Sequence, residues 1–336
     1  EKPIKAMYAM ASNFTANQMP DRQRWLDALE NVDMVAVADM QHTPNVQHAD
    51  IVLPASHWFE REDVTGSWTQ PHVRYREPAH EPLWESKSDH WMLTRLAERL
   101  GYGEHFDRDR ETTLRKILDA EDRFTLEDLR EKGTFFDDSA PEIIWQGEFN
   151  TPSGRLEIYD EDAPSEDGTS LEVPVPMESR TDEDHELADE YPLTFLQKHS
   201  RWRIHSQFGR MPRMRQIEPE PVVDINPSDA EARGIDDGEY VRIYNDRGEV
   251  VVKARYNEGY RPGMVNVNQG WWGDDYVRGH HNDLTHTDVS DAIENFAFYD
   301  TRVEVESAPD DIDTSQYTNP ERAPWLDGYP DGGENA

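Results

Sequence analysis

Short apolar runs separated by turn residues dominate the first sixty positions. Ile4–Met10 (IKAMYAM) reads as a strand ending at Ser12-Asn13, and Pro20–Leu29 carries Trp25, Leu26 and Leu29 at helical spacing. Asp33–Ala38 (DMVAVA) predicts a second buried strand that closes at Asp39, and Ile51–Pro54 a third. Strand, helix, strand, short connection, strand predicts a parallel α/β sheet. Ligands of such sheets sit beyond the carboxyl ends of the strands. Ser12, Asn13, Asp39 and Thr43 are therefore candidate contacts, with turn formation and helix capping as the alternative use of such residues. Residues 60–82 show no regular pattern. Lys87–Leu100 predicts a helix whose apolar face is Trp91, Leu93, Leu96, Ala97 and Leu100, stopped by Gly101. Residues 108–133 read as a charged helical insertion, and 164–190 as an acidic crossover rich in Pro and Ser.

From Tyr191 the pattern changes to many short strands. Pro192–Leu196 and Val222–Ile225 are apolar runs; Asn226-Pro227-Ser228 caps a short helix that Gly234 stops. Tyr240–Asn245 and Val250–Ala254 flank Asp246-Arg247-Gly248, a hairpin turn. Pro262-Gly263 leads into Met264–Val267, and Thr301–Val305 closes the series. Short strands with one or two small helices predict a β-barrel. The expected organisation is an α/β region at 1–160, an acidic linker at 161–190, a barrel at 191–306 and an acidic tail at 307–336. Tyr317, Trp325 and Tyr329 are the tail residues suited to pinning it to a surface.

Charge sharpens this picture. The 336 residues include 70 acids against 34 Lys and Arg, a net charge of −36, and the bases are 27 Arg to 7 Lys. Dense carboxylate, little Lys and intact apolar patterning fit a protein adapted to concentrated salt, where self-repulsion is screened. A nucleic-acid partner is disfavoured, because phosphate backbones need a cationic face. The absence of Cys removes disulfides, thiolate metal sites and a Cys nucleophile. No run of 18 apolar residues spans a membrane. The chain begins at Glu1 rather than Met, so a truncated or processed start is expected.

Residues 191–217 contain no Asp or Glu, yet hold Lys198, Arg201, Arg203, Arg210, Arg213, Arg215, His199 and His205. Three readings stand: the cations hold a phosphate-like anion, for which the planar Arg fork is suited; they pair with carboxylates elsewhere; or they form a surface patch without function. Gly270-Trp271-Trp272-Gly273 offers close backbone approach and flat rings to a ligand, or core packing and a turn. His280, His281 and His286, with Asp283 and Asp288, fit no compact metal-ligand set, since adjacent His side chains usually point apart. Asn282 and Thr285 suit the edge of a heterocycle. No Ser–His–Asp arrangement, P-loop, paired-carboxylate motif or GxGxxG is identifiable, so catalytic residues and metal ligands are left unassigned.

Several segments in order carry a family resemblance. They are IKAMYAMASN, HADIVLPASHWFERED, EPLWESKSDHWMLTRLAERLG, FNTPSGRLEIY at 149–159, HSRWRIHSQFG at 199–209, the run from Ile225 to Val265, NQGWW and NDLTH. Together they resemble the C-terminal half of the catalytic subunit of a molybdopterin oxidoreductase of the dimethyl sulfoxide reductase family, in a form suited to high salt. The resemblance implies a parallel α/β domain followed by a double-psi β-barrel that binds a dinucleotide. It implies bis(molybdopterin guanine dinucleotide) carrying molybdenum or tungsten, and two-electron or oxygen-atom transfer to dimethyl sulfoxide, nitrate or a sulfur species. Ser12, Asn13 and Asp39 fall where the family's α/β domain meets one dinucleotide. Arg203, His205 and Ser206 fall in the first barrel loop, Gln269, Gly270 and Trp271 in the next, and Asn282 with Thr285 in the last. Arg210, Arg213 and Arg215 are as suited to facing the rest of the enzyme. The family's Cys-rich iron–sulfur region and metal-ligand segment have no match here, so the iron–sulfur cluster is expected in an N-terminal part. Implied partners are that N-terminal half, a small-molecule substrate, an iron–sulfur electron-transfer subunit and a membrane anchor subunit. Family analogy puts such enzymes at the outer face of the cytoplasmic membrane. The alternatives are a non-catalytic scaffold or assembly protein with such a barrel, or a non-redox hydratase of the same family.

Overall fold

The computed structural model describes residues 3–66, 70–106, 109–139, 149–157, 187–289, 295–296 and 298–318. Most of the expected linker at 161–190, and Trp325 and Tyr329 of the tail, lie outside the described residues. The chain divides into two compact units, one of residues 1–12 and 32–158, the other of 13–31 and 159–336.

In the first unit, β1 (Ala6–Met10) pairs in parallel with a strand that follows a helix, α1 (Arg22–Glu30), in the sequence. That strand is β2 (Met34–Asp39), and β3 (Ile51–Pro54) pairs with it, again in parallel, giving the order β1-β2-β3. The strands form where the apolar runs predict them, and β2 buries Val35, Ala36, Val37 and Ala38. The region 60–82 differs from expectation: β4 (Asp63–Gly66) and β5 (His72–Arg76) pair antiparallel. Charged residues hid this pairing, because Asp63 binds Arg76 across the strands at 3.1 Å and the cations of β5 alternate along it. The helix α2 (Asp89–Arg99) starts at Ser88, whose hydroxyl accepts from the Trp91 amide. It buries Met92, Thr94 and Ala97, leaving the expected face residues Trp91, Leu96 and Leu100 exposed. The insertion folds as α3 (Arg110–Leu118) and α4 (Leu126–Lys132), and β6 (Thr134–Phe136) adds to β5.

The second unit is a closed barrel. Its strands are β7 (Leu193–Leu196), β8 (Val222–Ile225), β9 (Tyr240–Tyr244), β10 (Glu249–Tyr256), β11 (Met264–Val267) and, after the short β12 (Arg278–Gly279), β13 (Thr301–Ser307). The order β10-β8-β11-β7-β13-β9 closes through the β9–β10 hairpin, with β8–β10 and β7–β11 parallel and the other pairs antiparallel. Closure removes the free edges that short strands would otherwise expose. Inward positions alternate, so Phe195, Val223, Ile225, Val241, Ile243, Val265 and Val303 fill the core. Each such side chain stabilises the fold by roughly 1.5–3 kcal/mol relative to exposure. Asn226 caps α6 (Pro227–Arg233), which follows α5 (Pro212–Ile217), by accepting from the Ser228 amide at 3.0 Å. Gly234 ends it at φ +68°, where a Cβ would be strained. Residues 13–31, which the sequence groups with the α/β region, pack with the barrel.

Candidate functional site

The barrel strands deliver three loops to one place. The first, after β7, carries Arg203, His205 and Ser206; the second, after β11, carries Gln269, Gly270 and Trp271; the third, after β12, carries Asn282 and Thr285. All three meet residues 13–21. Asn13 donates to Ser206 Oγ at 3.1 Å, and Asn17 donates to Gln269 Oε1 at 3.1 Å while lying 3.4 Å from His205 Nδ1. Asn282 donates to the carbonyls of Asn17 and Met19, and Thr285 Oγ1 accepts from the Asp21 amide. The hinge between the first two loops is tight. Gly270 has φ +92°, and a Cβ there would lie 2.0 Å from the His205 carbonyl oxygen. His205 itself holds φ +51°, a strained value for a non-Gly residue. His199 and His205 stand edge to face at 4.7 Å, both exposed.

Three polar atoms in this cluster are left over. Asn13 Oδ1, Asn17 Oδ1 and Asn282 Oδ1 are buried with no hydrogen-bond partner among the described residues. Buried acceptors without donors are costly, by about 1–3 kcal/mol each. Asn17 and Asn45 were not singled out by sequence. A signal for Asn17 existed: Asn13 and Asn17 are four apart across the helical turn Phe14–Gln18, which puts both on one side.

Four of the six Lys and Arg side chains of 191–217 pair with carboxylates, as the second reading has it. Arg203 is buried and donates through Nε and one Nη to Glu218 at 3.2 and 2.9 Å, with its guanidinium 3.5 Å from the centre of the Trp271 ring. Arg215 lies 5.1 Å from the same ring and pairs with Asp275. Arg210 pairs with Asp274 and covers Trp272 at 4.3 Å. Arg210 and Arg215 therefore face carboxylates of the barrel unit itself. Burial pushes the Arg203 and Arg215 guanidinium pKa values down, with Glu218 and Asp275 opposing the shift. Trp271 and Trp272 are both buried, and the Trp272 indole N–H donates to the Ser206 carbonyl at 3.2 Å, bracing the first loop.

The histidine run is used structurally. The rings of His280 and His281 do not point apart but stack at 4.2 Å, because both are enclosed beneath Tyr276. Tyr276 Oη and His281 Nδ1 share a hydrogen bond of 2.6 Å. Burial, with Arg22 and Arg203 nearby, drives His281 down to about 3. Burial pushes Asp283 up to about 6. His286 donates from Nε2 to the Asp300 carbonyl, 2.7 Å away.

In the first unit, Ser12 and Asp39 stand at the carboxyl ends of β1 and β2. The Asp39 carboxylate accepts from the Met40 amide at 2.7 Å and from Thr43 Oγ1 at 3.1 Å. Asn45, buried, donates to the Ser12 carbonyl at 2.7 Å. These contacts stiffen the loops that follow the strands, where α/β sheets bind ligands.

Comparison with known proteins bears on the two domains that carry these loops. Residues 1–99 match the family described as molybdopterin oxidoreductase, and residues 193–302 match the Molydopterin dinucleotide binding domain. A Halobacterium salinarum protein named for the catalytic polypeptide of dimethyl sulfoxide reductase is 51% identical over 94% of this chain and 38% of its own length. The dimethyl sulfoxide/trimethylamine N-oxide reductase of Cereibacter sphaeroides is 29% identical over 81% of this chain and 36% of its own. The chain thus spans under two fifths of these relatives. The solved structure of acetylene hydratase from Pelobacter acetylenicus superposes with a TM-score of 0.73 at 24% identity, over 90% of this chain and 44% of that one, a likeness of fold. A parallel sheet, a closed six-stranded barrel and matches to both domains place this chain in the molybdopterin oxidoreductase family, alongside the dimethyl sulfoxide reductases.

Proposed function

We propose that this chain is the cofactor-holding C-terminal part of a larger bis(molybdopterin guanine dinucleotide) enzyme that reduces a small oxidised substrate, dimethyl sulfoxide first. The observation that carries the reading is the set of orphaned amide oxygens on Asn13, Asn17 and Asn282 where three barrel loops converge. Pterin and guanine edges present N–H donors, the groups these acceptors lack, so the residues fit the cofactor. When bound, the cofactor supplies the two-electron chemistry, and the chain supplies binding, orientation and electrostatics.

Within that reading, Asn13, Asn17 and Asn282 accept from ring N–H groups, while Gln269 and Ser206 fix the amides that do so. The exposed imidazoles of His199 and His205 serve the polar rim. Arg203 acts indirectly: Glu218 and Trp271 occupy its guanidinium, so it holds the first loop's shape. Ser12, Asp39 and Thr43 serve a second contact at the strand ends of the α/β unit. The names of the two reductase relatives support dimethyl sulfoxide as the leading substrate; nitrate and sulfur species follow from the family. The test is a viologen-linked reductase assay on the whole purified enzyme with each acceptor in turn. Turnover with dimethyl sulfoxide and weak turnover with nitrate is expected. Activity with nitrate alone would contradict the substrate, and no redox activity with any acceptor in a pterin-loaded enzyme would favour a hydratase.

A further inference from the structure

The cations of the first barrel loop are neutralised unevenly. Arg203, Arg210 and Arg215 reach carboxylates, and Lys198 stands 3.7 Å from Asp224. Arg201 and Arg213 are exposed and make no ion pair among the described residues, although the chain carries a net charge of −36. The same loop exposes large apolar side chains: Trp202, Ile204 at 58%, Phe208 at 49% and Met211. Phe208 also holds φ +68°, a left-handed value that bulky residues rarely adopt. The underside of this face is fixed by the Arg203–Glu218 pair and by Arg210 over Trp272, so its shape is set before anything binds. Exposed rings beside unpaired cations, on a rigid and strained loop, mark an interaction surface.

We infer that Arg201, Trp202, Ile204, Phe208, Met211 and Arg213 form a docking face for a polypeptide surface bearing carboxylates among apolar side chains. The occupant is the portion of the enzyme that the relatives possess and this chain does not span. The inference rests on the proposed reading of the chain as part of a longer enzyme. Charge complementarity selects an acidic partner for Arg201 and Arg213. The apolar side chains between them select polypeptide over the phosphates of a cofactor, which gain nothing from Ile204 or Phe208.

The test uses R201K and R213K variants of the full-length enzyme. A carbodiimide joins an amine to a carboxylate only when the two are in contact, and mass spectrometry identifies the joined peptides. The amine at 201 or 213 should join an Asp or Glu outside residues 1–336. It should also be shielded from a soluble succinimidyl ester, relative to the exposed Lys132 of α4. Joining only within residues 1–336, or an unshielded amine, overturns the inference. Shielding lost on extraction of the cofactor would give the face to cofactor phosphates and overturn it too. An outside cross-link in an enzyme without pterin would sink the proposed function and leave the docking face standing.

Discussion

Gly270 is the residue on which the site's geometry turns most sharply. Its φ of +92° and the 2.0 Å approach of any Cβ to the His205 carbonyl mean that even Ala must push the second loop off the first. Replacing Gly270 by Ala should destabilise the barrel by at least ~2 kcal/mol, because strain and overpacking act together. A thermal melt of the purified enzyme reads this directly, and an unchanged midpoint would contradict the geometry. Asn17 acts differently. Its Nδ2 ties Gln269 into the cluster, and its backbone carbonyl accepts from Asn282. Asn17→Ala should cost about 1 kcal/mol of stability, the net worth of one hydrogen bond. Pterin retained through gel filtration should fall much further, since the same residue offers an orphaned acceptor. Equal losses in stability and retention would make Asn17 merely structural.

At the scale of elements, two devices hold the loops on the barrel. The first is the Arg–Trp–carboxylate layer that joins α5 to the loop after β11. Asp275 lies at its centre, buried, pairing with Arg215, standing 3.4 Å from Arg210 and accepting from the Trp272 amide at 2.8 Å. Asp275→Asn leaves the buried Arg215 cation without its carboxylate and should cost roughly 3–5 kcal/mol. A denaturant midpoint that stays put would show the layer to be dispensable. The second device is the buried His280–His281 stack. Both imidazoles fall well below the ordinary His range through burial, His281 to about 3. The unfolded chain therefore binds protons that the folded chain refuses, and stability falls as pH drops from about 6.5 toward 3. Asp283, raised to about 6 by burial, works the other way between 6 and about 4, but it is one group against two. Chemical denaturation at stepped pH should show the loss, and His281→Asn should flatten it; an equally steep acid limb in that variant would remove His281 as a cause. The strands were legible because β-branched runs such as Val222–Ile225 and Val250–Ala254 need no distant partner to be recognised. The β4–β5 pair was not, because its cations break the apolar alternation. The fate of Arg215 was equally hidden, because its carboxylate lies 60 positions away at Asp275.

At the scale of the whole molecule, each unit stands on its own frame: a parallel sheet whose strand ends carry Ser12 and Asp39, and a closed barrel whose loops gather Asn13, Asn17, His205, Ser206, Gln269 and Asn282. The sequence named all but Asn17 among these, since loop position along an ordered motif can be read without coordinates. It could not say that Arg203 would be occupied by Glu218 and Trp271, because burial of a cation depends on packing in three dimensions. The central claim is that these loops hold a molybdopterin dinucleotide. The most direct measurement is oxidative acid extraction of the purified full-length enzyme, with the released pterin read by fluorescence and the released guanine nucleotide by chromatography. The account predicts both, in equal amounts, with molybdenum or tungsten in the same fractions. A folded, pure enzyme that releases neither pterin nor guanine nucleotide would contradict it.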